Sequence, residues 1–180
     1  DMQQKDKNVP VNEGNLILSL SADEAVSIVP AGTDLDSAKE ESFDYLSDVT
    51  PASVKVGYGS LGIDKTVNNS GTLKLDGVEY KKGLGAHAPA ELVYHLDGKY
   101  DFFHAVVGID DLRVTNTNLG RVQFQVFLDD NTIPAFESTV MGTNAKPEVI
   151  DLALGDTVQK MKIAVLTPDG KNTNDWTDIA

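Results

Sequence analysis

From Phe43 onward the chain consists of short apolar runs, most alternating with polar residues and closed by turn signals. Val54, Val56 and Tyr58 alternate with Lys55 and Gly57, which predicts a half-buried strand. Asp76-Gly77 lies between two short β-prone pieces, Leu73–Leu75 and Val78–Tyr80, a strong hairpin signal. Leu92, Tyr94 and Leu96 alternate with Val93 and His95, and Asp97-Gly98 then turns the chain into Tyr100–Val107. That second run is apolar on both faces, which predicts a central sandwich strand forming one hairpin with the strand before it. Val122–Leu128, Val149–Leu152 and Met161–Val165 complete the set. Seven or eight short strands with no convincing helix between them imply an all-β fold, an antiparallel β-sandwich.

Residues 1–42 have a different texture. They hold one short apolar run, Leu16-Ile17-Leu18, which predicts a strand, and Ser21-Ala22-Asp23-Glu24, which could cap one helical turn before Pro30-Ala31-Gly32 stops it. Nine acids against three bases give this segment a charge of −6, leaving −7 for the other 138 residues. The expected division is an acidic linker or tail of a preceding module over 1–42 and one sandwich over 43–180.

The whole chain of 180 residues carries −13, a surface that repels a phosphate backbone, so nucleic acid is an unexpected partner. No stretch approaches the roughly 18 consecutive apolar residues that span a bilayer, so no membrane partner is expected either. The first residues lack the basic-then-apolar layout of a secretory signal, so the chain reads as soluble. Cysteine is absent, which excludes disulfides, cysteine-type zinc sites and thiol nucleophiles without fixing the compartment.

Of the three histidines, His95 and His104 fall on predicted strands, where paired surface or satisfied core positions are expected. His87 lies in the glycine-rich stretch Lys82-Gly83-Leu84-Gly85-Ala86-His87-Ala88-Pro89, which either lets backbone approach something closely or only makes a turn. Asp110 and Asp111 are adjacent in an extended chain and point to opposite faces, a poor arrangement for a glycosidase acid/base pair. One of them could hydrogen-bond a sugar or hold a hard cation while the other braces a loop, or both could brace loops. The serine of Gly57-Tyr58-Gly59-Ser60-Leu61-Gly62 is displaced from nucleophile-elbow spacing, so this fragment is not expected to be an enzyme. The only tryptophan, Trp176, sits in a polar loop-like run from Pro168 to Asp178. It would serve either as an apolar platform for a sugar ring or as a plug at the end of the core.

Four strings in order, Tyr45-Leu46-Ser47-Asp48, Lys82–Ala88, Val107–Asp111 and Asp175–Ala180, resemble the NPCBM domain, grouped as carbohydrate-binding module family 51. The resemblance covers about residues 43–180. It implies a jelly-roll sandwich, often with a structural calcium, attached to secreted or surface bacterial glycosidases. It also implies galactose-containing, blood-group-type glycans as ligands and a covalently linked catalytic module. Position by position, it points to His87, Asp175 and Trp176 lining or supporting a carbohydrate site. Asp110 and Asp111 match a further motif, and Tyr58 and Asn174 join from neighbouring loops. Many members have histidine three residues before the tryptophan, where this chain has Thr173, which would alter or weaken binding. The alternative is a protein-interaction or spacer domain of a bacterial surface protein.

Overall fold

The computed structural model describes residues 43–113, 120–142, 145–171 and 173–180. The linker assignment, the strand expected at Leu16–Leu18 and the capped turn after Ser21 lie outside the described residues. Among the described residues twelve short strands follow in order: β1 Ser53–Val56, β2 Gly62–Ile63, β3 Leu73–Leu75, β4 Val78–Tyr80, β5 Leu84–His87 and β6 Ala90–His95. Then come β7 Phe102–Ile109, β8 Gln123–Leu128, β9 Phe136–Glu137, β10 Glu148–Ala153, β11 Lys160–Leu166 and β12 Trp176–Ile179. One five-stranded sheet has the order β1-β6-β11-β8-β9 and the other β10-β7-β12-β5-β2, with β3-β4 as a separate hairpin. Every pairing is antiparallel. Among the described residues no helix is long and apolar enough to cross a membrane.

The alternation seen in sequence is what closes the sandwich. Leu92 and Tyr94 of β6, Phe124 and Val126 of β8, and Met161, Ile163 and Val165 of β11 point inward from one sheet. They meet Leu84 and Ala86 of β5, Val107 and Ile109 of β7, Ile150 of β10 and Ile179 of β12 from the other. A fully buried leucine, isoleucine or phenylalanine contributes roughly 1.5–3 kcal/mol. An exposed ion pair such as Lys55–Glu91, at 2.9 Å, contributes at most about 1 kcal/mol. Apolar burial between the two sheets therefore holds the fold.

Three expectations change. The runs containing His95 and His104 do not form one hairpin: β6 and β7 belong to different sheets, so the Asp97-Gly98 turn carries the chain across the core. Two alternating strands on a short turn have the same pattern whether they pair edge to edge or stack face to face, and here Phe103 and Leu92 both enter the core. The expected polar loop around Trp176 instead ends in β12, held between β5 and β7. Its polar residues are buried with partners, as where the Thr177 hydroxyl donates to the Ala86 carbonyl at 2.8 Å, so polarity disguised a central strand. The strand from Val54 ends at Val56 and lies at a sheet edge with Val54 exposed. The Asp76-Gly77 hairpin forms as read, with positive φ at both turn residues.

Candidate functional site

Alternation along β5 and β12 settles which way the site faces. Leu84, Ala86 and Ile179 face the core, so His87, Trp176 and Asp178 face the outside of the second sheet. His87 and Trp176 are directly opposite residues of this antiparallel pair, the closest neighbours two strands can offer. Trp176 is buried, yet it lies outside the sandwich core, so it is not a core plug.

Loops complete the cluster. The Gly57 amide donates to the His87 carbonyl at 2.9 Å, which brings Tyr58 to the histidine; their ring centres lie 5.6 Å apart, edge to face. Glycine is needed there, because a Cβ would stand 2.5 Å from the Ala88 carbonyl oxygen. The Arg113 guanidinium lies over the Trp176 ring, 3.8 Å from its centre. The Ala88 amide donates to the Asp175 carbonyl at 2.9 Å, and Asp175 Oδ1 accepts the Arg121 amide at 3.0 Å. Asp175 is thus a brace joining the segment before β12 to the ends of β5 and β8. Burial pushes its carboxyl up to about 6, opposed by the Arg121 amide. Asn174 takes the positive φ that turns the chain into Asp175.

His87 is all but buried, and its Nδ1 lies 2.7 Å from the Ala88 carbonyl oxygen. Burial, with the Arg113 charge as a lesser cause, lowers its pKa against the opposing pull of that carbonyl. A neutral imidazole with Nδ1 donating leaves Nε2 as an acceptor. Beside it lies a cationic fork of donors on Arg113. Together they match a hydroxyl group, which donates to one and accepts from the other.

Asp110 and Asp111, grouped with the sugar-binding residues by motif, are taken up by the fold. Asp111 accepts the amides of Asp76 and Gly77 at 2.9 and 2.8 Å and so clamps the β3–β4 turn. Asp110 is fully buried, with Oδ1 accepting the Leu112 amide at 2.7 Å. The equally buried Asp178 accepts the Lys74 amide on Oδ2 at 2.9 Å, while Asp110 Oδ2 and Asp178 Oδ1 are buried with no partner among the described residues unless the two carboxyls share a proton. Burial and the Asp110 charge push Asp178 up to about 9, so it keeps its proton at neutral pH. Among the described residues no three acidic or histidine side chains converge on a metal position. Calcium wants six to eight oxygens, and a proton between two carboxyls suits this donor set better. The Asp110–Asp178 pair therefore does not fit the ion.

Arg113 is the member of the cluster that pattern reading missed. Its signal was its rarity: it and Arg121 are the chain's only arginines, and they flank one segment. A cavity of about 590 Å³ also exists, lined by Phe43, Tyr45, Tyr80, Tyr100, Phe102 and Ile179 among others. It lies toward the opposite ends of β5 and β12, contains none of the expected site residues, and is too apolar for a hydroxyl-rich ligand.

Fold and cluster together define an antiparallel β-sandwich module with a polar and aromatic site on an outer sheet end. The chain belongs to the NPCBM/NEW2 domain family, which matches residues 42–180. It is 28% identical to a family 51 carbohydrate-binding module of a Clostridium perfringens family 95 glycoside hydrolase, solved with methyl-galactose. The TM-score is 0.69, covering 76% of this chain and 95% of that one. It is also 28% identical to a family 51 module of C. perfringens ZmpB solved with GlcNAc and adjoining INT domains. There the TM-score is 0.68, covering 74% of this chain and 29% of that one. A candidate endo-alpha-N-acetylgalactosaminidase of Renibacterium salmoninarum is 37% identical over 109 residues. That match covers 60% of this chain, which spans only 7% of the relative's length.

Proposed function

We propose that residues 43–180 are a non-catalytic carbohydrate-binding module that holds a larger secreted or surface glycosidase on galactose-containing, blood-group-type glycans. The observation carrying this reading is the meeting of Tyr58, His87, Trp176 and Arg113 at one sheet end, where an exposed ring, a neutral acceptor and a cationic fork lie together. Family membership and the galactose-bound relative support it. Single-site affinity is modest, because protein hydrogen bonds replace water hydrogen bonds at little net gain. The benefit to an attached catalytic module is effective concentration at the glycan surface.

Glycan-array screening of the chain tests this, with galactose-terminated and GlcNAc-terminated arms and with a calcium chelator in a parallel arm. Binding in the galactose arm is expected. Silence across the array would favour the spacer or protein-interaction reading, and a chelator-dependent melting temperature would restore calcium to the structure.

A further inference from the structure

Tyr58 and Trp176 divide the work expected of one aromatic ring. Trp176 is 8% accessible and Tyr58 60%. The guanidinium of Arg113, 3.8 Å from the centre of the tryptophan ring, already occupies one face at stacking distance. A sugar packing its C–H bonds on that face would have to displace it. Tyr58 stands in the open on a loop held from both sides. The Gly57 amide reaches the His87 carbonyl at 2.9 Å, the Ser60 amide reaches Asn68 Oδ1 at 2.8 Å, and the Asn68 amide reaches the Ser60 carbonyl at 3.1 Å. An exposed ring on a braced loop offers contact area at little ordering cost.

The geometry points to Tyr58 as the ring on which the sugar packs and to Trp176 as a positioning residue that holds Arg113 beside His87. This inference rests on the sugar-binding reading of the same sheet end and changes which residue touches ligand. The tryptophan acts through the arginine. Its flat face fixes the guanidinium plane, and that plane sets the direction in which the fork can meet a hydroxyl.

The test is calorimetric titration of the full 180-residue chain with methyl galactoside, alongside thermal melting and acrylamide quenching of its single tryptophan. Tyr58→Ala is expected to weaken binding about tenfold, the scale of one aromatic contact, with an unchanged melting temperature. Arg113→Lys keeps the charge and loses the planar stack. It is expected to weaken binding by a similar factor and to make Trp176 more open to quenching, which a role of charge alone would not do. Saturating sugar is expected to leave wild-type quenching unchanged. Wild-type affinity in Tyr58→Ala, or protection of Trp176 by sugar, would overturn the inference while leaving sugar binding in place. No binding by the wild-type chain to methyl galactoside or to GlcNAc would overturn the sugar reading and the role of Tyr58 with it.

Discussion

The Nδ1 of His87 lies 2.7 Å from the carbonyl oxygen of Ala88, the next residue along the chain. A carbonyl only accepts, so Nδ1 carries the proton of the neutral ring and Nε2 its lone pair. Burial and the Arg113 charge lower the pKa below the ordinary histidine value of 6.5, so the acceptor survives to a lower pH than usual. Affinity for methyl galactoside is expected to be flat from about pH 8 to about 6.5 and to fall only below that. His87→Ala should lose at least about tenfold, the cost of one good hydrogen bond. A decline already under way at neutral pH, measured by titration calorimetry, would count against the neutral-acceptor role.

Asp178 gives the fold an alkaline weakness. Its carboxyl is pushed from 3.8 up to about 9 by burial and by Asp110, and Asp110 is itself raised. Between those values the folded chain holds more protons than the unfolded chain, so stability is full at low pH and is lost as pH rises through about 9. Asp175, raised to about 6, acts with the same sign at the lower end of that window. Thermal melts from pH 5 to 10 should show a falling melting temperature. Asp178→Asn, whose amide still donates to Asp110 and still accepts from Lys74, should flatten the fall.

Gly57→Ala is expected to cost both stability and binding. Its Cβ would stand 2.5 Å from the Ala88 carbonyl oxygen and 2.7 Å from Pro89 Cδ, so the loop must move off the end of β5 and break the Gly57–His87 hydrogen bond. Overpacking of this kind costs roughly 1–3 kcal/mol. Urea unfolding reads the first effect and galactoside titration the second; an unchanged affinity would mean that the loop is not part of the site.

Tyr94→Phe should be neutral or stabilising by up to about 1 kcal/mol. The ring is fully buried in the core, and its hydroxyl has no hydrogen-bond partner among the described residues. Burial raises its pKa to about 12, which again marks a polar group held where polarity gains nothing. A clear loss in urea midpoint would show that a partner, such as an internal water, exists.

What the sequence determined by itself was everything that follows from period and turn chemistry. Alternation at Leu92-Tyr94-Leu96 and Val122–Leu128, with Asp-Gly at 76–77, is enough to specify antiparallel strands and one hairpin. The motifs around His87 and Trp176 also marked two residues that lie opposite each other. Pairing partners were decided only by the tertiary structure, because β6 and β7 carry a pattern equally suited to one hairpin or to two facing sheets. Trp176–Ile179 became a central strand because its buried polar groups found partners on β3, β5 and β7, contacts made over long sequence separations. The stacking of Arg113 on Trp176 is likewise a contact between residues far apart in the chain, and no local spacing encodes it. Local chemistry set the strands. Whether Trp176 faces a ligand or braces Arg113 depended on what the fold packed against it.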